Sequence, residues 1–210
     1  MMIDLSKGDT GLIIGECRTR GVLRNQCAYV LATAYWETAR TMRPVREYGG
    51  EAYLRQKPYY PYVGMGYVQL TWEANYRRAS EELGVDFVAQ PEKLLEAKFA
   101  VKILVIGMLE GWFTGKKLSD YVTLQKSDFL NARRIVNGVD RKAEIAAFAT
   151  QYDQALIADG YGVADNGPKT DHPRSPECAL PNHLPPGVSG KYQTIWTSLA
   201  ALLGRLFYRR

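Results

Sequence analysis

The chain has 210 residues, 46% of them apolar and 23% charged, with a formal net charge of +5 and a pI near 9.0. That length supports one well-buried domain with a small appendage, and the balance excludes disordered and fibrous classes. The positive charge favours anionic surfaces such as cell wall, lipopolysaccharide or anionic lipid, whereas nucleic acid is disfavoured, because no Lys/Arg cluster exceeds a pair and no recognised binding motif occurs.

The chain opens Met1-Met2-Ile3-Asp4, with neither a basic leader nor an apolar segment of signal-peptide type, so synthesis in a cytoplasm is expected. Cys17, Cys27 and Cys178 are odd in number and irregularly spaced. They do not form a disulfide framework and fit a reducing compartment. Asn25 to Met42 reads as a helix: Val30, Ala34, Glu37 and Thr41 recur at helical spacing beside Cys27, Leu31, Ala34 and Thr38, and Pro44 marks its stop. Glu37 therefore falls on the inward stripe, where a carboxylate is costly.

From Glu47 to Gly66 the pattern is irregular and includes the cluster Pro58-Tyr59-Tyr60-Pro61-Tyr62. Tyr67 to Leu70 is predicted as a short extended segment, and Thr71 as the N-cap of a helix from Trp72 to Leu83 closed by Gly84. Pro91 suits the first turn of a helix continuing to about Gly111, whose apolar run from Ala100 to Leu109 marks it as the central core helix. That run is too short to span a bilayer. Ser127 to Ile135 is predicted as a short helix ending at Asn137-Gly138. Asp140 is then placed as the cap of a helix through Ile145, Phe148, Tyr152 and Leu156.

Between Gly160 and Gly190 lie six of the ten prolines and both histidines, the composition of a tether or irregular arm. Its His172, Cys178 and His183 lie close in sequence, but the spacing matches no standard zinc site and a fourth ligand is not evident. No metal or cofactor is expected. Residues 191–210 form an apolar and basic series, including Trp196, Leu199, Leu203, Phe207, Arg205, Arg209 and Arg210. This reads as an amphipathic helix packed on the core, with contact to anionic lipid or an outer membrane as the functional alternative. The division is thus 1–159 for the catalytic domain, 160–190 for the arm and 191–210 for the basic helix.

Glu37 and Glu47, followed by Gln69 and Thr71 on a glycine-flanked segment, are the residue types that two-carboxylate cleavage of a glycosidic bond requires. Glu37 is read as the buried acid and Glu47 as the wetter base, with Glu51 as rival base. The bland alternatives are a Glu37 satisfied by a buried Arg133 or Arg134, and a Glu47 paired on the surface with Arg43 or Arg46. Tyr59, Tyr60, Tyr62 and Trp72 offer flat faces to sugar rings, although aromatics are more often core; Trp112 is assigned to the core.

Several motifs in order resemble glycoside hydrolase family 19, the chitinase-like family, and especially its phage and prophage endolysin branch. They are Ala34-Tyr35-Trp36-Glu37-Thr38-Ala39, Pro44-Val45-Arg46-Glu47-Tyr48 and Gly64-Met65-Gly66-Tyr67-Val68-Gln69-Leu70-Thr71-Trp72-Glu73-Ala74-Asn75-Tyr76. Glu110 to Gly115 and Asn131 to Gly138 fit the same branch, so the resemblance covers roughly residues 20–158. It implies a mainly α, lysozyme-like bilobal helical domain with a central cleft and little or no β-structure.

It also implies an inverting mechanism without metal, in which Glu37 is the acid, Glu47 the base and Thr71 the holder of the catalytic water. Gln69, Asn75 and Asn137 would be sugar-contacting amides, with Tyr67 and Trp72 further substrate contacts; plain turn chemistry is the other reading of Asn137. Trp36 and Met65 stand where the family has a histidine and an arginine, a departure that bears on turnover. The implied substrate is peptidoglycan or, alternatively, chitin. A third reading is a glycan-binding protein that has lost turnover on the same scaffold. The implied enzyme is a monomer that reaches the wall through a holin pore.

Overall fold

The computed structural model describes residues 3–162. The zinc reading, the arm beyond residue 162, the 191–210 helix and its lipid contact lie outside the described residues. Among the described residues there are seven α-helices: α1 (Thr10–Thr19), α2 (Arg24–Glu37), α3 (Gly50–Leu54), α4 (Glu73–Leu83), α5 (Ala97–Glu110), α6 (Leu118–Tyr121) and α7 (Lys142–Ala158). Two 3-10 turns, Pro91–Leu95 and Asn131–Ile135, join them. The described sheet has two strands, β1 (Val45–Arg46) and β2 (Met65–Gly66), paired antiparallel with Val45 opposite Gly66. The fold is mainly helical, as expected.

Buried apolar side chains gather in two clusters. In the first, α2 is surrounded by α1, α7 and one face of α5 carrying Ala100, Val101, Leu104, Val105 and Met108. Every residue of α2 from Asn25 to Tyr35 is buried, which explains why its sequence is apolar almost all round. Its Tyr35 meets Phe148 and Tyr152 of α7 edge-on at 5.0 and 6.1 Å. The second cluster joins Leu54, Val63, Met65, Leu70, Tyr76 and Phe87 to the opposite face of α5, through Ile103 and Ile106. Thus α5 is the wall common to both, with Lys102 at its wet edge. Gly107 lets the Phe113 ring close on the helix: a Cβ there would stand 2.3 Å from that ring.

Several predicted boundaries move. The helix expected to reach Met42 ends at Glu37, because the chain turns back in a Schellman arrangement: Arg40 N–H donates to Tyr35 O at 2.7 Å and Ala39 N–H to Trp36 O at 3.2 Å. Ala39 takes the left-handed conformation, φ 49°, which glycine normally supplies. Thr38 secures the turn by donating to Ala34 O and accepting from Met42 N–H. Pro44 is not the stop. Ala39→Gly should therefore raise the unfolding free energy by about 0.5–1 kcal/mol, read from urea denaturation, since it relieves a left-handed alanine while loosening the unfolded chain.

The single helix expected from Pro91 to Gly111 is broken at Glu96, whose extended ψ of 122° separates the 3-10 turn from α5. Tyr67 to Leu70 is not extended. Met65 and Leu70 exchange both backbone hydrogen bonds across a tight loop in which Gln69 has φ 54°. Trp72, not Thr71, occupies the cap position of α4, while Gly84 closes it as expected. Ser127 bridges back to Val122, so only Asn131–Ile135 is helical there, started by Asp128, whose carboxylate accepts Asn131 N–H. Arg141 and not Asp140 precedes α7. The sequence reading placed no element at α1, α3 or α6.

Candidate functional site

Glu37 is the last residue of α2, where the buried stripe reaches the helix end. Its Oε1 accepts from Arg133 Nη1 at 2.6 Å. The Arg133 side chain is only 2% exposed and that of Glu37 11%. Arg133 is delivered by the 3-10 turn Asn131–Ile135 and is steadied by a second bond, Nε to Asp140 O at 3.1 Å. The partner foreseen for a structural Glu37 is therefore present, and it is Arg133 and not the exposed Arg134. Oε2 of Glu37 accepts no hydrogen bond among the described residues.

Glu47 leaves β1 and turns inward. Its Oε1 accepts from the Tyr59 hydroxyl at 2.7 Å and its Oε2 from Gly64 N–H at 3.0 Å, while its own N–H donates to Gly64 O at 2.7 Å. A residue that was expected to be the wetter of the two is 4% exposed. Neither Arg43 nor Arg46 pairs with it; Arg46 goes to Glu51 at 2.9 Å. The reason lies in the small sheet. Pairing of β1 with β2 lays Glu47 beside the Gly64 backbone, and the tyrosine-rich loop folds Tyr59 over it.

A Cβ at position 64 would stand 2.9 Å from Gln69 Oε1 and crowd that side chain. Burial, then the bond to Glu47, pushes the Tyr59 hydroxyl above its ordinary value, so Tyr59 remains a donor at neutral pH. Glu51, the rival base, lies in the open. The Tyr60 hydroxyl and then Arg46 hold its carboxyl below the usual range.

The polar shelf is directed inward. Gln69 spends its amide nitrogen on Val45 O (2.9 Å) and Gly66 O (3.3 Å), tying β1 to the loop after β2. Thr71 donates to Gln69 O at 2.7 Å, and Asn75 Nδ2 donates to Thr71 O at 2.7 Å. Asn137 accepts from Gly138 N–H at 2.7 Å, the turn chemistry foreseen as its alternative.

Tyr67 does not face a ligand, because it is fully buried and its hydroxyl donates to Asp9 at 2.7 Å, which fastens the loop to the start of α1. Trp72 is half-buried, edge-on to Tyr59 at 5.4 Å. Tyr60 and Tyr48 are the exposed rings of this region, whereas Tyr62 packs against Tyr76 at 5.3 Å. Trp112 is in the second cluster, as assigned from sequence. Trp36 packs beside Phe148, and Met65 lies in the second core, so both side chains fill apolar space.

Tyr59 is one of four rings that the sequence offers either to sugar or to the core, and its role as holder of Glu47 is not among those readings. The spacing of twelve residues across an irregular loop gives no periodic signal for such a contact. A cavity of about 170 Å³ is lined by Ile3, Asp4, Lys7, Tyr35, Phe148, Gln151 and Tyr152 and includes none of the candidate residues.

Glu37 stands on the first cluster and Glu47 on the second, each nearly withdrawn from water and each fixed by directed donors. Chemically, these are two immobilised carboxylates with lone pairs to spare, one beside a guanidinium and one beside a phenol. Compared with protein-family models, curated proteins and solved structures, the chain matches none of them.

Proposed function

We propose that this chain is a peptidoglycan-degrading glycoside hydrolase of the endolysin kind, cleaving β-1,4 bonds between amino sugars with inversion. The observation that carries this reading is the pair of fixed, shielded glutamates at the two positions singled out by the motif order. A carboxylate in open water is a poor positional catalyst; one clamped by a directed donor is preorganised for its task. The proposed architecture is a lysozyme-like bilobal domain. One lobe is built on each apolar cluster, and the substrate cleft lies between Glu37 and Glu47.

In this mechanism Arg133 keeps Glu37 Oε1 in place while Oε2, having first taken up a proton from solvent, delivers it to the leaving oxygen. Glu47, oriented by Tyr59 and Gly64 N–H, takes a proton from the water attacking the opposite face of the sugar. Inversion needs a separation of about 6.5–9.5 Å between the two carboxyls to admit that water. Thr71 and Asn75, with Gln69 behind them, shape the wall beside Glu47. Of the residues read as substrate contacts, Trp72, Asn75 and Asn137 keep partial exposure and remain in the proposal.

The test is digestion of purified sacculi followed by mass analysis of the released reducing ends, run beside soluble chitin oligomers. Muropeptide release with new reducing termini is the expected result, and it also names the bond. Preferential cleavage of the chitin oligomers would move the substrate to chitin. A second reading rests on the Glu37–Arg133 ion pair itself. A carboxylate that neutralises a buried guanidinium has a structural task of its own, and the chain would then be a glycan-binding protein without turnover. Retention on sacculi with no products would favour that reading.

A further inference from the structure

Away from both glutamates, Cys17 of α1 and Cys27 of α2 are buried, free thiols with no measurable exposure. Both belong to the first cluster, on helices α1 and α2 that pack on each other, and each thiol is within electrostatic reach of the other. The link between their helices is short. Val22 N–H closes α1 on Cys17 O at 2.9 Å, and α2 begins at Arg24. Beside this pair sits Tyr161, 6% exposed, whose hydroxyl donates to Val22 O at 2.8 Å in the link between the two helices and feels both thiols electrostatically. Arg18 covers the outer face of that ring at 5.2 Å from its centroid and is itself held by Asp159. Two thiols on neighbouring helices, sharing one dry space under one aromatic cover, form a dithiol and not two isolated core cysteines.

We propose that Cys17 and Cys27 are an oxidation site that closes to an intramolecular disulfide, with Tyr161 as its cover. The oxidant is a small-molecule or protein disulfide. One cysteine thiolate attacks the oxidant, forming a mixed disulfide and releasing one thiol. The second cysteine then attacks the protein-side sulfur, releasing the second thiol. The protein loses two hydrogens and the oxidant gains them as two thiol groups. Closure needs a modest approach of the helices, since bonded sulfurs stand at about 2.05 Å. The Cys17 thiol is held well above its ordinary value, first by its interaction with Cys27 and then by burial, so it is inert while covered. Reaction therefore proceeds through a local opening at Tyr161.

The test uses the full-length chain carrying Cys178→Ser, equilibrated in a reduced/oxidised glutathione buffer both as the native protein and during refolding from urea. Refolding removes access as a variable. The expected product is a tryptic peptide containing Cys17 linked to the one containing Cys27, lighter by two hydrogens, with Tm raised by roughly 5–10 °C. Native oxidation should be at least about tenfold faster with Tyr161→Ala, because the cover is gone. Free thiols or stable glutathione adducts in the refolded protein, or a lowered Tm on closure, would overturn the proposal. An unchanged native rate in Tyr161→Ala would remove Tyr161 as the cover.

Discussion

Arg133→Met should cost about 3–5 kcal/mol of folding stability, the largest single loss expected in the molecule. The guanidinium is 2% exposed and serves two acceptors, Glu37 Oε1 and Asp140 O. Removing it strands a shielded carboxylate and one backbone carbonyl, and an unpaired buried charge is far more costly than the pair itself. Glu37→Gln should cost less, since the amide oxygen still accepts from Nη1. The double variant Glu37→Gln/Arg133→Met removes both charges and should recover much of the loss. Urea unfolding of the four proteins, read as a double-mutant cycle, measures the coupling; additive single-variant losses would mean that the pair contributes nothing.

The same set separates structure from chemistry. At a temperature where all variants are folded, Glu37→Gln should release muropeptides from sacculi at least about a hundredfold more slowly than the parent, whatever its Tm. If its activity instead follows the folded fraction, Glu37 is a counter-ion for Arg133.

Glu47→Gln is the second large effect, and here the loss should be in rate and not in folding. A glutamine keeps an acceptor for Gly64 N–H and can turn its amide nitrogen towards the Tyr59 oxygen, so a stability change of about 1–3 kcal/mol is expected. It cannot take a proton from water, and sacculus hydrolysis should fall by about 10²–10⁴. Glu51→Gln is the control. Its carboxylate is exposed and committed to Tyr60, Arg46 and Arg55. Parent-like activity in that variant leaves the base at Glu47; an inactive Glu51→Gln beside an active Glu47→Gln would transfer the role.

Periodic segments were legible where burial is one-sided or total. The apolar run of α5 and the spacing along α7 located both helices, and glycine ended α4 at position 84 as turn chemistry requires. The end of α2 was hidden because its reversal rests on Ala39, a strong helix former held left-handed by Thr38 and the Schellman bonds. The partners of Glu47 were hidden, and that of Glu37 was narrowed only to Arg133 or Arg134, for another reason. Arg133 lies 96 residues from Glu37, and nothing in local pattern distinguishes it from Arg134 beside it. Likewise, the burial of Glu47 follows from a sheet of two residues per strand, too short to leave an alternating signal. The tertiary contact decides in each case, and local propensity does not report it.

Because α5 turns one flank to each apolar cluster, it belongs to both cores at once. Peeling the two apart would leave oily helix facing water on whichever side kept it. A fragment cut to carry one cluster alone would therefore expose the flank of that rod that the other had covered.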